Sequence, residues 1–152
     1  MATTNDELIA ILNNLIETCR DGQEGFRTAA ESSVRSDLKS LFSNYSQQRA
    51  QFAGELQQEV RTLGGDPEKS GSVAGSLHRG WMNIRAAVLG HEEAAIVSEC
   101  ERGEDASVSN YGDAIGKEMP ANIRAIVEKQ YSEVQAAHDL IRSLQLAASK
   151  TA

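Results

Sequence analysis

The stretch NDELIAILNNLIETCRDGQEGFRTAAESSV, residues 5–34, decides the fold class of this chain. Leu8, Leu12, Leu15, Cys19, Gly22, Phe26 and Ala29 recur at intervals of four and three by turns. At about 100° per residue these positions fall on one line of an α-helix. Thr4 stands just before the stretch and Glu7 three residues after it, the pattern of a capping box. A helix this long with one apolar line has to lay that line against other helices, so the rest of the chain is read for partners.

Three further stretches supply them. A second helix is expected over residues 37–63, with Ser36 as N-cap and Gly64-Gly65 as the stop. A third runs over residues 91–115, from behind Gly90 to Gly116, with Glu92 and Glu93 at its positive end. The fourth opens at Pro120 and continues to Leu146, beyond which residues 147–152 are expected to fray. Short links join the first helix to the second and the third to the fourth, which makes two antiparallel hairpins. The link over residues 66–90 is far longer than packed neighbours need. In its second part Ala74, Leu77, Trp81, Ile84 and Val88 form a helical stripe, so a fifth, shorter helix is expected over residues 72–89. The expected fold is all-α: one domain over residues 1–152, a four-helix bundle of two antiparallel hairpins with a long crossover.

The composition excludes several function classes. The net charge is −7, and no basic stripe is present to meet phosphates, so nucleic acid is not expected as a partner. No apolar run approaches the roughly 20 residues that cross a bilayer. The start, Met1 to Asp6, has no basic segment of a secretory signal. Cys19 and Cys100 form neither a C-x-x-C pair nor a disulfide framework. Reduced thiols and a cytoplasmic location are the expectation.

Several polar residues share the lines of the apolar ones. Arg49 lies between Tyr45 and Phe52 on the second helix, alongside Leu38, Leu41, Leu56 and Leu63. Glu101 and Glu104 lie between Val97 and Val108 on the third, and Gln130 between Val127 and Val134 on the fourth. Burying a lone guanidinium is costly, and opposing glutamates remove that objection. Arg49 and Glu104 both stand near the middle of their helices, Cys19 and Gly22 come to the same level, and Gly22 leaves room for a large side chain. A central network of Arg49, Glu101, Glu104 and Gln130 is therefore expected. His138 flanks the fourth stripe, and Glu17, Glu24 and Glu31 share a face of the first helix expected to meet solvent or a subunit contact rather than a metal. His78 and His91 have no companion at ligand spacing, and Gly71 to Gly75 is a weak anion-binding reading.

Three signatures carry a resemblance: Cys19-Arg20-Asp21-Gly22-Gln23-Glu24-Gly25-Phe26, Ser72-Val73-Ala74-Gly75 leading into Leu77-His78-Arg79-Gly80-Trp81, and Cys100-Glu101-Arg102-Gly103-Glu104-Asp105. With this order of elements the chain resembles the ferritin-like superfamily, which includes rubrerythrins and bacterioferritins. The signatures are similar to those of a bacterial family of ferritin-like four-helix-bundle proteins known as a domain of unknown function. The resemblance implies the fold and brings no activity with it. Active members of the superfamily hold two metal ions with a Glu from each of two helices and a Glu-x-x-His from each of the others. Neither copy of that motif is present: the second helix reads Gln47-Gln48-Arg49-Ala50-Gln51-Phe52, and Glu133 is followed three residues on by Ala136.

Two functions compete. The first is a non-enzymatic bundle without the di-iron ligands or any cofactor, acting through self-association or a protein partner, with a stress-related role as one form of it. Ile9 and Ile16 on the first helix and Phe42 on the second widen the apolar faces beyond one seam, so a homodimer through these two helices is expected. The alternative is an iron or manganese protein for redox or storage, with a non-standard site of Glu101, Glu104 and His138.

Overall fold

Thr4 starts the first helix with its own side chain. Its Oγ1 accepts from the Glu7 backbone N–H at 3.1 Å and donates to the Glu7 carboxylate at 3.0 Å. A computed structural model describes residues 3–33, 35–67, 80–90 and 92–151, for residues 148–151 the backbone only. Its helices are α1 (Asn5–Ser32), α2 (Ser36–Thr62), α3 (Ile84–Leu89), α4 (Glu93–Ile115) and α5 (Ala121–Thr151). Among the described residues there is no strand.

α1 packs chiefly on α2 and α4 on α5, and the hairpins meet through α1 against α4 and α2 against α5. The core has two ends. One is mainly aliphatic: Leu8, Leu12, Leu15 and Ile16 of α1, Leu56 and Val60 of α2, Ala114 of α4, and Ile123 and Val127 of α5, with Phe52 and Tyr111 among them. The other is aromatic: Phe26 of α1, Phe42 of α2, Trp81, Ile84 of α3, Ile96 and Val97 of α4, and Ile141 of α5. It follows that α2 and α4 both run from the aromatic end to the aliphatic end, and α1 and α5 run the other way. The α2–α4 link must therefore travel the length of the bundle, which accounts for its size.

Most expected boundaries shift by a residue or two, each for a local reason. Ser36 is the first residue of α2 and not its cap; Arg35 holds the cap position without a side-chain bond to the helix. Arg35 instead donates to Asp37 and to Glu93, tying the α1–α2 turn to the start of α4. α2 stops where expected, at Gly64 with φ +85°, and the Gly65 N–H returns to the Val60 carbonyl. α5 continues past Leu146 to Thr151, through alanines that favour helix.

The crossover helix is the larger correction. Among the described residues it runs over Ile84–Leu89, with residues 80–83 outside it, and residues 72–79 of the expected helix lie outside the described residues. Gly80 has φ +96°, and a Cβ there would stand 2.6 Å from the Arg102 carbonyl, so the chain is turning at Gly80 against the α4 backbone. Trp81 and Ile84 are fully buried and Val88 half-buried. Ala74, Leu77, His78, His91 and the Gly71–Gly75 segment lie outside the described residues.

Trp81 explains two signature glycines. Its indole lies between Gly25 of α1 and Gly103 of α4, and a Cβ at either would come within 2.1 Å of the ring. Phe26 meets the indole edge-on, ring centres 4.9 Å apart, and also packs on Phe42 and Tyr45.

The apolar excess that motivated a homodimer through the first two helices is used inside the chain. Ile16 and Phe42 are both 0% exposed, and Ile9 is half-buried against the aliphatic core. Glu17, expected on a solvated face with Glu24 and Glu31, is buried, as are its neighbours Thr18 and Asp21. The reason is that α1 is covered by α2, α3 and α4, on three sides. No helix among the described residues is long and apolar enough to cross a membrane.

Candidate functional site

Between the two ends of the core lies a polar layer. Arg49 and Glu104 are 1% and 0% exposed and face each other from α2 and α4. The guanidinium donates with two nitrogens to the two carboxylate oxygens, Nη1 to Oε1 at 2.5 Å and Nη2 to Oε2 at 2.7 Å. This is the fork-on-fork geometry that the planar guanidinium favours. Nε donates to Gln48 Oε1 at 3.2 Å. Gly22 provides the space: a Cβ there would sit 3.4 Å from Arg49 Cγ. The guanidinium carbon also stands 5.4 Å from the Phe26 ring centre, over its face. Burial pulls the Arg49 pKa down, but the Glu104 charge and hydrogen bonds outweigh it, holding the group above its ordinary value and charged.

A second polar chain runs beside the pair, toward the aliphatic end. Tyr111 of α4 donates to Gln130 Oε1 at 2.7 Å, and its oxygen lies 3.1 Å from Cys19 Sγ. Gln130 Nε2 donates to the Phe52 carbonyl at 3.3 Å and to Glu55 at 2.9 Å. Burial pushes the Cys19 thiol up to about 11, with the Tyr111 hydrogen bond opposing it. Burial also pushes Tyr111 well above the phenol range. Both groups are neutral at pH 7.

The four residues expected to form one network thus separate into three places. Arg49 and Glu104 stand together. Gln130 is 1% exposed at mid-height but serves Tyr111, not Arg49, whose donors are taken by Glu104 and Gln48. A buried tyrosine needs a partner for its hydroxyl, and that signal at Tyr111 would have identified the chain. Glu101 is half-buried and turned toward α5, since on α4 it lies one turn from Asp105 on a flank of the helix. There Glu101, Asp105 and His138 each offer a ligand atom within 4.8 Å of the others. His138 Nε2 is 2.5 Å from Asp105 Oδ1 and Nδ1 is 3.2 Å from Asp139 Oδ1. Burial lowers the His138 pKa, but these carboxylates more than offset it, and the net direction is up. Asp105 thus stands where the sequence reading had Glu104 in a metal set with Glu101 and His138. The Glu101–Asp105 spacing of four residues was the available signal.

The groups around Arg49 do not fit a two-metal carboxylate centre. Both Glu104 oxygens are engaged by a fixed cation, which repels a metal ion, and the thiol and phenol beside it keep their protons.

A search of curated proteins finds no match to the chain. A family match does exist, and it spans α1 to α4 with every residue of the Arg49–Glu104 and Trp81–glycine contacts. It covers residues 7–117, well over half of the 152, and on it the chain belongs to the family described as Domain of unknown function (DUF2383).

Proposed function

We propose that the chain is a ferritin-like four-helix bundle in which an ion pair occupies the place of the metal centre, and that it works through its surface, by self-association or a protein partner. The observation that carries this reading is the Arg49–Glu104 pair, both partners buried at mid-height in the bundle. The helix directions support the ferritin-like part, with two hairpins joined by a link that travels the bundle's length. Among the described residues the large apolar side chains left exposed are Met82, Leu89, Leu140 and Leu146. All four belong to segments at the aromatic end. These residues support self-association at that end, whereas Ile16 of α1 and Phe42 of α2 are spent in the core.

The alternative, an iron or manganese site of Glu101, Glu104 and His138, has lost Glu104 to Arg49. Metal analysis of protein purified without chelators tests the choice, with light scattering on the same sample. The expected result is no pair of iron or manganese ions per chain and a mass above the monomer at micromolar protein. Two equivalents of either metal would sink the ion-pair reading, and a monomeric mass would remove self-association from it.

A further inference from the structure

We propose that Glu101, Asp105 and His138 form a site for one divalent first-row transition-metal ion on the flank of the bundle, between α4 and α5. This is a different place and a different ligand set from a two-metal centre in the core. Glu101 and Asp105 are one turn apart on α4 and so share a face. α5 carries His138 to that face, with ligand atoms of the three within 4.8 Å of one another. Bonds of roughly 2.0–2.2 Å to one tetrahedral ion would place these atoms about 3.4 Å apart. Asp105 Oδ1 now stands nearer than that to His138 Nε2, and its exposed side chain has the freedom to swing out to the required separation.

Two further observations point to a ligand. Glu101 Oε2 is closed off from solvent and has no hydrogen-bond partner, an arrangement that costs free energy unless something else binds there. The second lies behind the histidine, where Asp139 Oδ1 stands 3.2 Å from Nδ1. A carboxylate in that position keeps the proton on Nδ1 and directs the Nε2 lone pair outward, as the outer partners of ligating histidines do. Nε2 is directed at Asp105, 2.5 Å away. The ion takes the place of the proton that bridges Nε2 and Asp105, and uptake releases that proton to solvent.

The donor set selects the ion. One imidazole with two carboxylates suits zinc, manganese or iron(II), whereas calcium and magnesium favour all-oxygen shells. Three protein ligands leave the remaining positions to water, so the site is open.

The test is calorimetric titration of chelator-stripped, full-length protein with Zn(II), with the Co(II) absorption spectrum as a second readout. The expected result is one equivalent per chain and a cobalt spectrum without a thiolate charge-transfer band. His138→Gln and Glu101→Gln should abolish saturable uptake, and Asp139→Asn should weaken it about 10–100-fold. These side chains lie on the flank, and circular dichroism checks that each variant keeps its helix content. Cys100→Ser should bind as the parent does. The proposal is overturned by no saturable uptake in the folded parent, by uptake that survives His138→Gln, by loss on Cys100→Ser, or by a preference for Mg(II) or Ca(II). A finding of two iron or manganese ions that survive His138→Gln would instead count against the ion-pair reading of the core.

Discussion

The two ends of the core are built on different principles. At the aliphatic end, leucines, isoleucines and valines from four helices interdigitate, and many combinations of similar volume could fill the space. At the aromatic end one large ring decides the geometry. Trp81 is 0% exposed and lies against the backbones of α1 and α4, which approach it only because residues 25 and 103 lack side chains. The polar layer of Arg49 and Glu104 separates the two. The difference teaches where specificity resides: the aliphatic end supplies burial, whereas the aromatic end and the ion pair fix which helix lies at what distance from which.

The strongest way to break that picture is to remove the layer between the ends. Arg49→Ala strands Glu104 without a partner in a buried position, and the expected loss is roughly 3–5 kcal/mol in urea unfolding. Replacing both partners, Arg49→Met with Glu104→Gln, should cost much less, because no buried charge then remains. A loss for Arg49→Ala under about 1 kcal/mol, the range of an exposed pair, would mean the pair does not hold the two hairpins together.

Alkaline pH probes the boundary between the layer and the aliphatic end. The Cys19 pKa is raised from 9.0 to about 11 in the folded chain, by burial first. A thiol with a raised folded pKa contributes stability that is fully present below the unfolded value and lost as pH rises through the folded one. The window is therefore about pH 9 to 11, and the contribution at stake is about 2–3 kcal/mol. Tyr111 is shifted in the same direction and extends the loss upward. Unfolding free energies measured across this window should fall, and Cys19→Ala should flatten the lower part of the fall. A profile that is level for the parent would show that the thiol is open to solvent.

At the aromatic end the sharpest probe is Gly103→Ala. In an exposed helix interior this change would stabilise by about 1 kcal/mol through helix propensity. Here the new methyl meets the indole at 2.1 Å, and the ring has little room to retreat because it lies equally close to Gly25 of α1. The expected result is a net loss of about 1–3 kcal/mol, the cost of overpacking. Gly103→Ala in a Trp81→Leu background should recover most of that difference, whereas a stabilised Gly103→Ala would show that the ring has room.

How much of this was legible in the sequence depended on the range of the signal. The 3.6-residue period and the capping residues are local, and they located all four long helices to within a few residues. Arg49 was legible because a charge on an apolar line needs a partner, and a mid-height Glu104 was available across the bundle. Its hydrogen bonds to Gln48, and those of Gln130 to Tyr111, depend on side-chain direction, which spacing does not encode. The glycines at 25 and 103 stood in the quoted signatures, but nothing local says that one tryptophan far along the chain fills both. Ile16 and Phe42 were read as surface for a related reason: a helix wheel assumes one neighbour, and α1 has three.

The smallest expected effect comes from the aliphatic end, and it is the one that sharpens the comparison most. Leu56 is 0% exposed at that end of α2. Leu56→Met keeps nearly the same volume, and methionine's unbranched chain can follow an irregular space. Volume-conserving swaps of this kind usually cost under about 1.5 kcal/mol. The expected loss therefore lies below that of Gly103→Ala, although the leucine substitution rearranges the side chain beyond Cβ and the glycine substitution adds one carbon. Both can be measured in the same urea series, where an unchanged m-value shows that compactness is preserved. If Leu56→Met costs more than Gly103→Ala, the aliphatic end is as narrowly shaped as the aromatic one, and the ends do not differ in the way described. If it costs less, a single methylene-sized group beside Trp81 matters more than the rearrangement of a whole side chain beside Val60, which is what a ring held between two backbones requires.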